Sequence, residues 1–385
     1  MCATSNSKVR RPFVSLARSN APYTDELHEA ACRVIDSGRY LHGPETEAFE
    51  SELAAFCGVS CGIGVSNGLD ALRLIVRAAI ELGRLNPGDE VIYPANTYIA
   101  SVLPLTEFGL IPVGIDPDPV TFNLDMTSLP ALITERTRAV MAVHLYGNPC
   151  WDYEAARMLA ERGIMIIEDN AQAIGARAAT PGLGGSHFTG GLGHAAAHSF
   201  YPTKNLGAIG DAGAVTTDDH KLADTIRALA NYGSDRRYHN IYTGYNCRLD
   251  ELQAAMLRVK LRHLDEVTAR RRTVARIYSA TINNPLIKTP VMMPGCVQVW
   301  HQYPLRSPKR DQLKEWLDQC GIATDIHYAV PPHRQPCYSD THTGLSRRLY
   351  PLTDRIAGQL LSLPIADLND AEAAEVAEAV NAFSL

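Results

Sequence analysis

Short apolar runs recur along the first 265 residues of this 385-residue chain, and most are apolar at every position rather than at alternate positions. Continuous apolarity indicates strands buried on both faces, as in a mainly parallel sheet that helices cover on each side. Helical patterns separate the runs, so the sequence predicts an α/β fold. The predicted strands are CGIGV (61–65), EVIYP (90–94), IPVGID (111–116), AVMAVHL (139–145), IMIIED (164–169), AAAHSF (195–200) and AGAVTT (212–217).

The connection between the last two predicted strands is about eleven residues long and contains Lys204 among several glycines. A parallel neighbour needs a crossover of a dozen or more residues, usually a helix. One of these two strands is therefore expected to run antiparallel to its neighbours. A flexible cation in a short glycine-rich loop that leaves a buried strand also needs a chemical explanation.

The clearest helical pattern begins at the sequence SNG and continues through LDALRLIVRAAIEL. Its apolar residues recur at helical spacing, which predicts an amphipathic helix packed on the sheet. Ser66 or Asn67 is expected to cap the start of this helix. A second helix, WDYEAARMLAERG, is expected between the strands at 139–145 and 164–169.

A chain of this length exceeds the usual size of a single hydrophobic core. After a long helical stretch at 249–280, short strand-like segments alternate with helices near 308–320 and 369–383. This change predicts a large domain over residues 1–268 and a smaller C-terminal α+β domain over residues 269–385.

The composition argues against several classes of function. A formal net charge of −6 provides no basic surface for nucleic acid or an anionic membrane. No apolar run reaches the roughly 18–20 residues of a membrane span. The nine cysteines are scattered without a CxxC pair, and the N-terminus lacks the apolar segment of a secretion signal, so a cytoplasmic protein with reduced thiols is expected. His187, His194 and His198 lie close in sequence, but HAAAH lacks the acidic residue of a zinc-protease motif, and no metal site is expected.

Four polar features fall where predicted strands end, which is where open α/β sheets collect ligands. Each has an ordinary structural explanation as a helix cap, a packing aromatic or a solvated lysine. Pyridoxal phosphate, however, requires all four together: a lysine amine for its aldehyde, an anion at its ring nitrogen, an aromatic on its ring face and a phosphate cup. The four features are VSNGLDAL, YPANTYIAS with Tyr98, IIEDNAQAIGA with Asp169 and Gln172, and HSFYPTKNLGAIG with Ser199 and Lys204.

These segments, taken in order, resemble the sugar-nucleotide aminotransferases of the DegT/DnrJ/EryC1/StrS family. The resemblance implies an aspartate-aminotransferase-like (type I) fold with a mostly parallel seven-stranded sheet and pyridoxal 5′-phosphate as the cofactor. It extends over nearly the whole chain. The matching segments are GRYLHGPETEAFE, GVSNGLDAL, VIYPANTYIAS, VHLYG, EDNAQAIGA, SFYPTKNLGAIGDAG, GYNCRLDELQAAML, VWHQYPLR and LSLPI.

The resemblance also implies roles for individual residues. Lys204 would form the Schiff base with the cofactor, and Asp169 would pair with the ring nitrogen. Gln172 would contact the ring hydroxyl, while Tyr98 would stack on the ring. The remaining implied cofactor contacts, all to the phosphate, are the backbone at Asn67, Gly68 and Leu69, the Ser199 hydroxyl, and Asn246 from the neighbouring subunit of a homodimer.

The implied reaction is a ping-pong transfer of an amino group from L-glutamate to a nucleotide-linked keto-sugar, with Lys204 moving the proton. The segments NYGSDRRYHN (231–240), NCRLDELQAA and HYAVPPHRQPCY (327–338) are similar to enzymes that aminate C3 of a dTDP-3-keto-6-deoxyhexose. Amination at C4 of a dTDP- or UDP-4-keto-6-deoxyhexose is the alternative. The candidate substrate residues are Tyr238, His239, His327, Tyr328 and His333.

Three other functions were weighed against this interpretation. A related sugar dehydratase replaces the cofactor lysine with histidine, so Lys204 argues against it. A non-catalytic regulatory relative would not need the complete set of cofactor residues. A nicotinamide-dependent oxidoreductase is disfavoured because GLGGSHFTGGLG (182–193) is not a GxGxxG that opens a helix after a first strand. This segment is interpreted instead as a mobile loop.

Overall fold

The computed structural model describes residues 11–180, 185–339 and 344–384. Within these residues the strands are β1 (Cys61–Val65), β2 (Glu90–Pro94), β3 (Ile111–Ile115), β4 (Thr137–Val143), β5 (Met165–Asp169), β6 (Arg177–Thr180), β7 (Gly185–Phe188), β8 (Ala195–Ser199), β9 (Gly213–Thr217), β10 (Ser234–Arg236), β11 (His239–Asn240), β12 (Tyr303–Arg306) and β13 (Leu360–Leu363).

The α-helices of the same residues are α1 (Leu16–Asn20), α2 (Thr24–Ser37), α3 (Pro44–Cys57), α4 (Gly68–Glu81), α5 (Leu103–Glu107), α6 (Tyr153–Glu161), α7 (His220–Ala230), α8 (Glu251–Arg262), α9 (Leu264–Thr281), α10 (Arg310–Gln319), α11 (Pro351–Ala357) and α12 (Asp370–Asn381). In this described part of the chain, no helix combines the length and the apolar character that crossing a membrane requires.

The central sheet has seven strands in the order β1-β9-β8-β5-β4-β2-β3. Every neighbouring pair among β8, β5, β4, β2 and β3 is parallel. Strand β9 runs antiparallel to both of its neighbours, β1 and β8. The seven predicted strands, the mostly parallel sheet and the antiparallel strand next to the lysine loop are therefore confirmed.

Helix α4 packs on this sheet as its pattern predicts. Asn67 is the N-cap, because its side-chain oxygen accepts a hydrogen bond from the Asp70 amide. Leu72 and Val76 are buried in the core that covers the sheet. The predicted helical stretch at 249–280 consists of α8 and α9, which meet at His263.

A second hydrophobic core forms from residues between Val274 and Phe383 and includes the antiparallel pair of β12 and β13. Helix α9 passes through residue 268 without interruption. Other C-terminal residues, including Tyr338 and Ile356, pack into the core of the large sheet instead. The boundary between residues 268 and 269 stays a prediction.

The glycine-rich segment at 182–193 lies partly outside the described residues. The loop interpretation is wrong for residues 185–188, because they form β7 and pair antiparallel with β6. The three nearby histidines have separate partners. His187 contacts the Thr180 hydroxyl, His194 contacts the Ile166 amide, and His198 contacts the Thr216 hydroxyl.

The last turn of this segment binds the carboxylate of Glu168, which is fully buried. The amides of Gly190, Leu192 and Gly193 donate to Glu168 at 2.7, 2.8 and 2.7 Å, and His144 Nε2 lies 2.9 Å away. His144 Nδ1 accepts a hydrogen bond from a backbone amide, so its proton sits on Nε2 and points at Glu168. Burial raises the pKa of Glu168, but the His144 hydrogen bond and the amide donors outweigh burial and the net pKa is lowered.

Replacing Glu168 with glutamine should lower the free energy of unfolding by about 3 kcal/mol, since an amide cannot accept from all these buried donors. The loss should be measured by denaturant unfolding followed by circular dichroism. Because the pKa of Glu168 is lowered in the folded state, the greater stability of the wild type should be present above the ordinary pKa of 4.5. It should be lost as the pH falls below that value. Glu154 forms an exposed ion pair with Arg157, so Glu154→Gln serves as the control. It should change the free energy of unfolding by less than about 0.5 kcal/mol. Equal stability of the two variants at neutral pH would contradict the prediction.

Candidate active site

A cavity of about 440 Å³ opens at the carboxyl ends of β4, β5 and β8, beside the start of α4. Strand pairing aligns these ends, because Asp169 lies opposite Val143 on one side and Ala197 on the other. The cavity brings together most of the sequence-predicted site residues. Those that line it are Asn67, Gly68, Leu69, Tyr98, Asp169, Gln172, Ser199, Lys204, His327 and Tyr328.

The start of α4 lies unusually close to the end of β8. A Cβ atom on Gly68 would lie 2.6 Å from the Cβ of Ser199, so only glycine allows this approach. The first intrahelical donor is Ala71, which leaves the amides of Gly68 and Leu69 without intrahelical acceptors. These amides and the Ser199 hydroxyl converge at a helix N-terminus, which suits a phosphate group.

Asp169 is 7% exposed and is held at the end of β5. Its Oδ2 accepts from the Ser101 hydroxyl at 2.6 Å, and its Oδ1 accepts from the Ala171 amide at 3.2 Å. The Gln172 side chain is fixed as well, since Oε1 accepts from the Tyr146 amide at 2.6 Å and Nε2 donates to the Tyr328 hydroxyl at 2.7 Å. The cavity thus presents one buried carboxylate and one oriented amide.

Two tyrosine rings form an aromatic wall of the cavity. The rings of Tyr98 and Tyr328 have centroids 4.9 Å apart and are tilted by 34°. Tyr98 is about half exposed, so one part of its ring is available to a ligand. Such a ring offers a flat apolar face for a planar ring system.

Lys204 lies in a tight turn, in which its amide donates to the Tyr201 carbonyl at 2.8 Å. The turn is closed by Gly207, where a Cβ atom would lie 2.3 Å from the Pro202 carbonyl oxygen. Burial lowers the pKa of Lys204 to about 8, although the charge of Asp169 raises it. At pH 7 about a tenth of this amine is therefore unprotonated, far more than for an ordinary lysine, and able to act as a nucleophile or base.

Two histidines and a glutamine complete the wall near Lys204, and of these three the sequence indicated only His327. The amide nitrogen of Gln302 lies 3.4 Å from Nε2 of both His301 and His327. His301 Nδ1 lies 3.3 Å from Asn205 Oδ1, and His327 Nδ1 lies 3.0 Å from Ser362 Oγ, while the Asp325 carboxylate lies 3.6 Å from His327 Nε2. Burial lowers the pKa of both histidines. This wall is consequently uncharged.

Four predicted site residues do not line the cavity. Tyr238 is 88% exposed, and His239 contacts the Asp235 carboxylate at 2.6 Å on the hairpin of β10 and β11. Asn246 is exposed just after this hairpin. His333 is buried elsewhere, with Nε2 2.9 Å from Asp354.

Comparison with known proteins accounts for this combination of groups. Residues 23–381 match the model of the DegT/DnrJ/EryC1/StrS aminotransferase family. The chain belongs to this family. The predicted family, the α/β fold class, the aminotransferase activity and the pyridoxal 5′-phosphate cofactor are thereby confirmed.

Similar proteins match over nearly their full length. The chain is 45% identical over 366 residues to the erythromycin biosynthesis sensory transduction protein EryC1 of Saccharopolyspora erythraea, covering 94% of this chain and 96% of that protein. It is 44% identical over 378 residues to the dTDP-3-amino-3,4,6-trideoxy-alpha-D-glucose transaminase of Streptomyces venezuelae, covering 97% and 96%. The crystal structure of S. venezuelae DesV in complex with a ketimine intermediate superposes with a TM-score of 0.89 at 44% identity, covering 97% of this chain and 98% of that one.

The residues present in the cavity fit this cofactor. Gly68 allows the start of α4 to lie against Ser199, so the free helix amides and the Ser199 hydroxyl lie together where a phosphate would bind. Asp169 supplies a buried anion, and Lys204 supplies an amine of lowered pKa in the same cavity. These are the polar groups that the chemistry of pyridoxal phosphate requires of a protein.

Competitive acetylation of the cofactor-free protein should give half-maximal labelling of Lys204 near pH 8, rather than near the ordinary lysine value of 10.5. Mass spectrometry of the labelled peptides measures this, and the exposed Lys309 reports the pH dependence of the reagent. Asp169→Asn should lower the midpoint further, because the Asp169 charge raises the pKa of Lys204. A midpoint above pH 10 in the wild type would contradict the assignment of a desolvated amine.

Proposed function

We propose that this aminotransferase moves an amino group from L-glutamate to C3 of a dTDP-linked 3-keto-6-deoxyhexose. The observation that carries the proposal is the convergence of Lys204, Asp169 and the phosphate-binding start of α4 in one cavity. The choice of C3 and of dTDP rests on the 44% identity to a transaminase of a dTDP-3-amino sugar, together with the similar segments at 231–240 and 327–338.

Each predicted cofactor residue has a place in this proposal. The amides of Gly68 and Leu69, the capped turn at Asn67 and the Ser199 hydroxyl would hold the phosphate. The remaining contacts would be Asp169 to the ring nitrogen, Gln172 to the ring hydroxyl, Tyr98 to the ring face and Lys204 to the aldehyde carbon. When bound, pyridoxal phosphate supplies an electron sink for the carbon that carries the amino group.

The protein itself supplies proton transfer and a dry environment. Lys204, partly neutral because it is buried, can remove a proton from the amino-bearing carbon and return it elsewhere. The neutral wall formed by His301, Gln302 and His327 adds no positive charge that would lower the basicity of Lys204 further. The fixed carboxylate of Asp169 needs no reorganisation when charge changes in the ring, which favours the reaction electrostatically.

The sugar would bind against His327 and Tyr328, which line the cavity. The Tyr328 hydroxyl accepts from Gln172, so its own proton is available for a substrate oxygen. His333 does not line this cavity and contacts Asp354 instead, so it has no part in this proposal. A C4 aminotransferase remains the second candidate, since side-chain contacts with the sugar hydroxyls decide between amination at C3 and at C4.

The regulatory alternative draws support from the name of EryC1, a sensory transduction protein. The complete set of Lys204, Asp169 and Ser199 in one cavity favours turnover, because a sensor without chemistry has no need of a lysine of lowered pKa. The cytoplasmic location expected from the sequence stays a prediction.

Incubation with L-glutamate and, separately, dTDP-linked 3-keto and 4-keto 6-deoxyhexoses should give a new C–N bond at C3, located by NMR. Lys204→Ala should abolish turnover and the visible absorption of the bound cofactor, because no amine remains to bond the aldehyde. Lys260→Ala is the matched control. Burial also lowers the pKa of Lys260 to about 8, but Lys260 does not line the active cavity. The Lys260→Ala variant should therefore keep its activity. Amination only at C4 would favour the second candidate, and turnover by Lys204→Ala would refute the mechanism.

We further propose that the working unit is a homodimer whose sites are shared. Four exposed apolar side chains lie on neighbouring segments and are grouped here as one patch, because the Glu251 amide donates to the Tyr40 carbonyl and the Ile209 amide donates to Gln253 Oε1. The patch consists of Tyr40, Leu41, Ile209 and Leu252. A patch of this kind is typical of a protein–protein interface. The exposed residues Tyr238, His239 and Asn246 would then enter the partner's cavity.

Mixing two inactive variants tests the shared site. Lys204→Ala and Asn246→Asp should each be inactive alone, the second because its charge would repel the cofactor phosphate. Unfolding and random reassociation of equal amounts should restore about a quarter of wild-type activity, since half of the dimers contain one intact site. Absence of any recovery, with dimers present by size-exclusion chromatography, would show that Asn246 does not act across the interface.

A further inference from the structure

Two buried hydroxyl groups form a chain of hydrogen bonds that ends at the carboxylate of Asp169. Ser101 Oγ lies 2.6 Å from Asp169 Oδ2, and Thr97 Oγ1 lies 2.8 Å from Ser101 Oγ. Ser101 is 0% exposed and Thr97 is 1% exposed. Both belong to the segment that leads from β2 to α5, which is distant in sequence from β5.

The number of available protons fixes the direction of this chain. An ionised carboxylate only accepts, so the single hydroxyl proton of Ser101 points at Asp169. Ser101 then has no proton left for Thr97, and Thr97 must donate to Ser101. A hydrogen bond to a charged acceptor in a buried site is strengthened when its donor itself accepts one.

Within the described ranges, the two hydroxyls make no hydrogen bond other than those of this chain. The backbone turn at this place is closed by amides instead, since the Thr97 amide donates to Pro94 and the Ser101 amide donates to Tyr98. The other oxygen of Asp169 receives only a longer contact, 3.2 Å from the Ala171 amide. The hydrogen bond from Ser101 is therefore the shorter of the two that orient this carboxylate.

We propose that Ser101, supported by Thr97, is a positioning residue for the reaction: its hydroxyl orients Asp169 towards the cavity and stabilises that carboxylate as an anion. This inference rests on the proposed pairing of Asp169 with the ring nitrogen of the cofactor. Stabilising the anion favours a proton on the ring nitrogen over a proton on Asp169. The hydroxyl chain thus supports the electron-withdrawing form of the cofactor without touching it.

The test compares Ser101→Ala with Ser101→Thr, which restores a hydroxyl, and uses holoenzyme prepared with cofactor labelled by ¹⁵N in the ring. Loss of a hydrogen bond to a charged group should weaken cofactor binding and lower kcat by about tenfold or more in Ser101→Ala. The ring ¹⁵N resonance should move towards that of an unprotonated pyridine. Ser101→Thr should return both the resonance and the dissociation constant towards wild type. Thr97→Val should produce a smaller shift in the same direction, because Ser101 still donates.

The outcomes separate this inference from the assignment of Asp169. Asp169→Asn should shift the resonance more than Ser101→Ala does; if it shifts nothing, the proposed role of Asp169 fails. If Asp169→Asn shifts the resonance and Ser101→Ala leaves it and the cofactor dissociation constant unchanged, only the role of Ser101 is overturned. Equal losses in Ser101→Ala and Ser101→Thr, with folding intact by circular dichroism, would indicate packing rather than donation and would also overturn it.

Discussion

The end of β5 is the point on which the rest of the site depends. Successive residues of a strand point to opposite faces, so Glu168 faces the interior while Asp169 faces the cavity. The interior carboxylate collects three backbone amides and His144, which fixes the end of the strand. A buried anion is tolerable there only because every neighbour donates to it. Glu168 does not line the cavity, yet it fixes the end of the strand that carries Asp169.

The chemistry of the cavity follows from a balance of opposing electrostatic effects on one amine. Burial favours the neutral form of Lys204, and Asp169 favours the charged form. The neighbouring imidazoles of His301 and His327 stay neutral, because burial lowers the pKa of both. The amine therefore titrates in a range where it can both accept and release a proton at physiological pH.

Much of this arrangement was predictable from local sequence patterns. Continuous apolar runs predicted the seven strands, and the short connection around Lys204 predicted that one strand runs antiparallel. Both patterns depend only on residues that are close together in sequence. The contacts of Ser101 with Asp169 and of His301 with Asn205 were missed, since they join residues 68 and 96 positions apart in sequence. The hairpin at β6 and β7 was missed because glycine-rich segments carry little strand propensity. The places that Tyr238, His239 and Asn246 would take in the proposed dimer are equally a property of assembly rather than of one chain.

The chain of contacts from Asn205 through His301, Gln302 and His327 to Ser362 has a consequence for protein engineering. It couples Asn205, the residue after Lys204, to a strand of the second core. Altering any one member to broaden sugar acceptance leaves a buried donor or acceptor unmatched in its neighbour. Substitutions at these positions will therefore combine non-additively, and libraries that vary them one at a time will undersample the functional variants.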